Sequence, residues 1–225
     1  MIGIISDVHG NYPALCAVLK ELDACGCEKI ISLGDVCGYY CMINECIQEF
    51  RKREIVNIMG NHDYYILHNE NCGRSYTANL CLDYQRKVLT KENLEWLKKS
   101  VSDLKVNDIW MVHGGWNDFL DEYISDFTFL DKLQSTIKIY VSGHTHVQKY
   151  VQGKYGKYMN PGSVGQPRDG IPTAAYGIIN DDGEIELKRC KYDIDEIVNN
   201  MAKAGFQERV ASCLHLGVKI GDDGK

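Results

Sequence analysis

Five short segments place Asp, His or Asn directly after an apolar run. They are Asp7-Val8-His9-Gly10, Gly34-Asp35, Gly60-Asn61-His62-Asp63, His113-Gly114-Gly115 and Gly143-His144-Thr145-His146. Five of the seven histidines, at 9, 62, 113, 144 and 146, fall in these segments, while His68 and His215 lie elsewhere and read as surface or packing residues. Each segment alone has a bland reading: an aspartate that caps a helix, a common Gly-Asp turn, a plain loop, a core histidine. The alternating pair His144-Thr145-His146 is the hardest to explain without a metal, and the five together leave little room for the bland reading. Carboxylate, imidazole and amide oxygen, with no thiolate, suit hard or borderline divalent ions such as Mn²⁺, Fe²⁺ or Zn²⁺. A carboxylate between two such ions can bridge them at about 3.5–4 Å, where they would acidify a shared water and screen charge on phosphoryl oxygens.

The surrounding pattern explains how residues so far apart in sequence could meet. Ile2–Ser6, Lys29–Leu33 and Ile55–Met59 read as buried strands. Between the first two, Leu15, Val18, Leu19 and Leu22 form one apolar helix face over Asn11–Ala24, with Asn11 as N-cap and Pro13 in the first turn. Met42–Arg53 reads as a second helix. This βαβαβ rhythm implies parallel strands with helices on their faces, and ligands then bind outside the strands' carboxyl ends. Residues 64–106 read as a mostly helical flap beside the site, with helices at Tyr76–Leu89 and Lys91–Ser100, the latter capped by Thr90. Ile109–Val112 and Lys138–Val141 resume strand character. Val147–Lys191 reads as a meander with a hairpin turn at Asp181-Asp182-Gly183, followed by helices Ile194–Ala204 and Gln207–Leu216.

Composition bounds the rest. At 225 residues, with no repeat or linker, one domain over 1–225 is expected. The net charge of −6 gives no basic excess for counterion release, which argues against bulk nucleic-acid binding. Phosphate substrates remain open, because bound cations reverse the sign of a local site. No apolar run approaches the roughly 20 residues of a membrane helix, and Met1-Ile2-Gly3 lacks a basic leader. A cytoplasmic protein without membrane contact is expected. The ten cysteines show no C-x-x-C pair and read as small buried apolar residues in a reducing compartment. Cys37 and Cys41 follow Asp35 closely, and the sequence assigns them no role; it is equally silent on oligomeric state.

The order of motifs resembles the calcineurin-like metallophosphoesterase superfamily, whose pattern is D-x-H, G-D, G-N-H-[DE], a lone H and G-H-x-H. The resemblance spans nearly the whole chain. Asn11 with its Pro-Ala-Leu helix, Gly38-Tyr39 and the run Asn160-Pro161-Gly162-Ser163-Val164-Gly165-Gln166-Pro167-Arg168-Asp169 are similar to the small prokaryotic phosphodiesterase and diadenosine tetraphosphatase-like branch. The resemblance implies an α/β fold, a four-layer α/β/β/α sandwich. It implies a dinuclear centre with Asp7, His9, Asp35 and His146 on one ion and Asp35, Asn61, His113 and His144 on the other, so that Asp35 bridges. Mn²⁺ is the first expectation, with Fe, Zn, Ni or Co as alternatives. His62 matches the non-ligand histidine that protonates the leaving oxygen or steadies transition-state charge; Asp63 reads as a loop-fixing acceptor. The implied activity is phosphoester hydrolysis by a metal-bridging water, foremost of diesters, with monoesters in addition, on a phosphorylated small molecule or nucleotide. A dinucleoside-polyphosphate or protein phosphatase is the alternative. A non-catalytic scaffold of the same fold is a third reading, against which His62 weighs. Arg168 is either a phosphate clamp or half of a structural ion pair, and Asn11 either touches substrate phosphate or caps its helix. Two departures stand out. Tyr40-Cys41 replaces a Gly-Pro turn, and Gly114-Gly115-Trp116 replaces Gly-Ser-Pro, so Trp116 either stacks on a base or aryl group or packs beneath the flap.

Overall fold

Hydrophobic residues in short β-branched runs build two five-stranded sheets. The computed structural model describes residues 1–133 and 135–220. In the first sheet, β1 (Ile2–Ile5), β2 (Lys29–Ser32) and β3 (Val56–Asn57) run parallel. The hairpin of β9 (Ala174–Ile179) and β10 (Ile185–Cys190) adds antiparallel beside β1, giving the order β10-β9-β1-β2-β3. In the second sheet, β5 (Ile109–Met111), β6 (Ile139–Val141) and β8 (Lys157–Pro161) run parallel, flanked by antiparallel β4 (Leu104–Val106) and β7 (Gln148–Gln152). The sheets face each other across Ile4, Ile31, Leu33, Ile58, Met111, Val141, Met159 and Ile179, all nearly or fully buried. Burying each such side chain contributes about 1.5–3 kcal/mol.

Helices cover the outer face of the first sheet. They are α1 (Tyr12–Ala24), α2 (Ile43–Lys52), α3 (Asn61–His68), α4 (Tyr76–Val88), α5 (Lys91–Leu97) and α6 (Ile194–Lys203). Their caps follow the local sequence: Asn11 Oδ1, Ser75 Oγ and Thr90 Oγ1 accept from the backbone N–H three residues on. The outer face of the second sheet is covered by residues 116–133, an irregular stretch with one 3₁₀ turn at Thr128–Asp131. Trp116, Phe127, Phe129 and Leu130 pack there on Tyr140 and Tyr158. The four layers are thus helices, sheet, sheet and an aromatic loop layer. No helix of the described residues is long and apolar enough to cross a membrane.

Three local expectations change. The meander over Val147–Lys191 is split: its first hairpin completes the second sheet and its second hairpin the first, with the turn at Asp181-Asp182-Gly183 retained. The chain crosses between sheets through residues 162–173, which pass over the site. Residues 104–106 at the end of the helical flap form β4, because Leu104 and Val106 pack against the inter-sheet core. The helix expected at Gln207–Leu216 is instead two 3₁₀ turns, Glu208–Val210 and Ser212–His215. Val210, Ser212 and Cys213 are weak helix formers, and nothing in the segment outweighs them.

Candidate dinuclear metal centre

All six parallel strands send the loops after their carboxyl ends to one edge of the sandwich. Asp7 and His9 follow β1, and Asp35 follows β2. Asn61 and His62 follow β3 and open α3, so they are first-turn residues of a helix rather than loop residues. His113 follows β5, His144 and His146 follow β6, and Gln166 and Arg168 follow β8. The loops turn sharply. Asp7, His9, Asp35, His144 and His146 all sit in the left-handed region, with φ between 53° and 65°. Only Glu54, Asn69 and Asn107 share that conformation among the other described non-glycine residues. Each costs on the order of 1 kcal/mol, so backbone strain is concentrated at this edge. Two glycines allow the close approach: a Cβ at Gly60 would strike the Asp35 carboxylate, and one at Gly38 (φ 135°) would strike the His9 ring.

The side chains are buried and anchored from outside. His9 Nδ1 lies 2.7 Å from Cys37 O, His146 Nδ1 2.6 Å from Gln166 O and His113 Nδ1 2.9 Å from Leu33 O. A carbonyl only accepts, so in each ring Nδ1 donates and Nε2 is turned inward. The Nε2 atoms of His9 and His146 then face each other at 3.0 Å. Asp7 Oδ1 lies 3.8 Å from His9 Nε2 and 3.2 Å from His146 Nε2 and has no hydrogen-bond partner among the described residues. Asp7 Oδ2 is occupied, accepting from Ser6 Oγ at 2.6 Å and the His144 N–H at 3.1 Å.

Asp35 stands between two groups. Its Oδ2 lies 3.8 Å from His9 Nε2 and 3.5 Å from His113 Nε2, while Oδ1 accepts the His62 N–H at 2.8 Å. Beyond it, His113 Nε2 lies 3.1 Å from Asn61 Oδ1, and the His144 ring stands 5.0 Å from that of His113. Asp7, His9 and His146 therefore form one donor cluster and Asp35, His113 and His144 the other. Asp63 binds backbone rather than centre: it accepts from the N–H groups of Asp35 (3.0 Å), Cys37 (2.9 Å) and Gly60 (3.3 Å) and from Asn57 Nδ2.

The electrostatics call for positive charge at this place. Burial works to raise both Asp7 and Asp35, yet neighbouring imidazoles, His146 for one and His113 for the other, hold both carboxyls below the usual range. Burial lowers His9 and His146, pushes His62 down to about 4 and His144 down to about 3. In His113 the Asp35 carboxylate outweighs burial and raises the ring to about 9. Neutral His9 and His146 cannot share a hydrogen bond, since both protons are already given to carbonyls. Two lone pairs meeting at 3.0 Å, beside an unpartnered carboxylate oxygen, are reconciled by a cation. The donor set fits divalent ions on this ground.

The clusters open into a cavity of about 50 Å³ bordered by Tyr39, His62, Arg74, Tyr123, Arg168 and Lys219. Arg168 has no carboxylate partner among the described residues. Its Nε and Nη2 donate to Gln166 Oε1 (3.1 and 2.6 Å) and its guanidinium lies 5.4 Å over the Tyr39 ring. The ion pair of that segment is Asp169–Arg189 instead. Asn11 is the helix cap. Both ends of its fully buried amide are engaged, with Ala14 N–H on one side and Gly165 O (2.9 Å) and Tyr192 Oη on the other, and it does not border the cavity. Trp116 is edge-on to Tyr140 at 5.0 Å in the aromatic layer, where it shares a groove with Tyr64, Ser100 and Ser102 and does not border the cavity. Cys37 contributes its backbone, and its buried thiol is pushed well above the usual range by burial. Cys41 is half-buried and lies outside the cavity lining. A larger groove of about 1230 Å³ between α4 and the C-terminal turns contains none of the motif residues.

Sequence reasoning missed Tyr123, Arg74 and Lys219, which border the cavity from segments without any motif. It also missed Gln85 of α4, whose amide pins the flap to the Gly38 N–H (2.9 Å) and Tyr40 O (2.6 Å). A lone glutamine on an otherwise apolar helix face was the available signal.

Comparison with known proteins agrees with this geometry. A family model described as the calcineurin-like phosphoesterase superfamily domain matches residues 1–182. An uncharacterized protein of Methanocaldococcus jannaschii is 33% identical, over 96% of this chain and 98% of its own. The crystal structure of a metallophosphoesterase from Sphaerobacter thermophilus superposes with a TM-score of 0.83 at 30% identity, covering 96% of this chain and 99% of that one. A hypothetical protein from Pyrococcus horikoshii shares the fold, with a TM-score of 0.83 at 20% identity over 97% and 100% of the two chains.

Proposed function

The chain belongs to the calcineurin-like phosphoesterase superfamily, and from that premise we propose that it is a dinuclear metal-dependent phosphodiesterase that also cleaves monoesters. The observation that carries the reading is the pair of abutting donor clusters joined at Asp35, with inward-turned nitrogens and an unpartnered Asp7 oxygen. Asp7, His9, Asp35 and His146 would hold one ion, and Asp35, Asn61, His113 and His144 the other. Ions held there would supply Lewis acidity towards a phosphoryl oxygen and acidify water.

The chain's own groups do the rest. Arg168 presents a guanidinium with no carboxylate partner among the described residues at the cavity wall, oriented by Gln166 and Tyr39, and takes a non-bridging phosphate oxygen. His62 borders the cavity with its Nδ1 unpartnered, and burial keeps the ring neutral. Its ring N–H donates a hydrogen bond towards the leaving oxygen and steadies the negative charge that builds there. Asp63 fixes the loop that carries Asp35. The preference for diesters follows the run Asn160–Asp169, and the substrate is assigned as a phosphorylated small molecule or nucleotide. Ten unpaired cysteines accord with work in the cytoplasm.

The test is a substrate panel on metal-stripped protein reloaded separately with Mn²⁺, Fe²⁺, Ni²⁺ and Zn²⁺. The panel comprises a bis-aryl phosphate, an aryl phosphate, diadenosine tetraphosphate and a phosphopeptide. The bis-aryl phosphate should turn over fastest, with Mn²⁺ the best ion. Cleavage of none of the four with any ion would overturn the assignment.

A further inference from the structure

Three of the four ring ligands share one device: a backbone carbonyl outside the cluster takes Nδ1–H and turns Nε2 inward. His144 has no such carbonyl among the described residues. Its Nε2 is buried and without a hydrogen-bond partner among the described residues. The group it faces is the Asp121 carboxylate, at 3.7 Å, outside hydrogen-bonding distance but within that of an ion pair. Asp121 in turn pairs with Arg74, from the segment before α4. The Tyr123 ring lies 4.4 Å from that of His144, and the Arg74 guanidinium lies 5.7 Å over Tyr123.

The segment that carries Asp121 is internally wired. Gly114 N–H and Gly115 N–H donate to Phe119 O (2.7 Å) and Asp118 O (2.9 Å), and the Glu122 carboxylate accepts from the backbone and side chain of Asn117, both at 2.8 Å. It begins directly after one ring, His113, and returns over another, His144. A hydrogen-bonded loop therefore brings a carboxylate to Nε2 of His144, the one ring of the four without a carbonyl anchor among the described residues.

We propose that Asp121 is the positioning residue of His144, taking its Nε2–H and leaving Nδ1 for the centre, and that Arg74, at the cavity border, holds the carboxylate in place. The inference rests on the dinuclear reading above. Charging a ligand ring with a cation makes its remaining N–H a stronger donor, so occupancy of the centre shortens the 3.7 Å gap. Arg74 and Tyr123 also border the cavity onto which His144 opens, so the arrangement stands on the side from which substrate would reach the centre.

The experiment is calorimetric titration of metal-stripped full-length protein with Mn²⁺, alongside thermal unfolding of the metal-free forms. Wild type should bind two equivalents. Asp121→Ala should weaken one of them by about 10–100-fold and leave the other unchanged. Arg74→Gln should weaken the same equivalent by less, and the isosteric Asp121→Asn should fall between Asp121→Ala and wild type. Metal-free melting temperatures should match throughout. Two equivalents of wild-type affinity in Asp121→Ala would overturn the proposal alone. So would equal weakening of both equivalents together with a lower metal-free melting temperature, the signature of a merely structural residue. Fewer than two equivalents in wild type would overturn the dinuclear reading and this inference with it.

Discussion

The two donor clusters are built to different standards. In the Asp7/His9/His146 cluster both rings are locked by backbone carbonyls, and the contributing loops leave β1 and β6 at the centre of the sandwich. In the Asp35/Asn61/His113/His144 cluster one ring is locked, and another leans on an exposed loop and on an arginine from the flap. The first is preorganised by the fold. The second is completed by surface segments, and it supplies more of the cavity lining, with Asp35, Asn61 and His144 against His146 of the first. A centre so divided can hold one ion firmly while the other side adapts to substrate.

The largest effect belongs to the residue common to both. Asp35→Asn removes the charge that both clusters share, so both equivalents of metal and all turnover above buffer should be lost; retention of one tight equivalent, read by metal analysis after desalting, would show that the first cluster stands without it. His62→Ala tests chemistry apart from binding. It should keep both metals and lose about 10²–10⁴-fold in kcat, and a metal-replete variant turning over at the wild-type rate would remove His62 from the mechanism. Chelation should reveal the asymmetry directly. Titrating loaded protein with a competing chelator should remove the ion of the second cluster first, with affinities about 10–100-fold apart; simultaneous release would mean that the clusters are equivalent. The smallest effect is expected from Arg168→Gln, which should raise KM about 10-fold with metal content unchanged.

Much of this was legible in the sequence, for a physical reason. Ligand types must sit where parallel strands end, and the strands Ile2–Ser6 and Lys29–Leu33 announce those ends through β-branched runs. The α1 face and the Asn11 and Thr90 caps depend on residues within a few positions of each other, and they too could be read. The split of the 147–191 meander between two sheets could not, because alternation along a strand does not say which sheet it joins. The same holds for β4, whose pairing with β5 is tertiary. Arg74, Asp121 and Tyr123 carry no pattern because their roles arise from a loop folding over a ring 23 residues further on, at His144 for Asp121. Asn11 was left with two readings, and the choice needed its neighbours, a carbonyl and a tyrosine hydroxyl.

The five left-handed residues at the centre have a consequence for how the chain folds and unfolds. Asp7, His9, Asp35, His144 and His146 span 139 positions of sequence and adopt a conformation that an unfolded chain seldom visits. Because these turns come together only where strands of both sheets meet, they are expected to be set late on the folding route. Stabilisation by metal should therefore appear almost wholly as slower unfolding, with the refolding rate nearly unaltered. The loaded enzyme would then owe its persistence to a barrier rather than to a faster return.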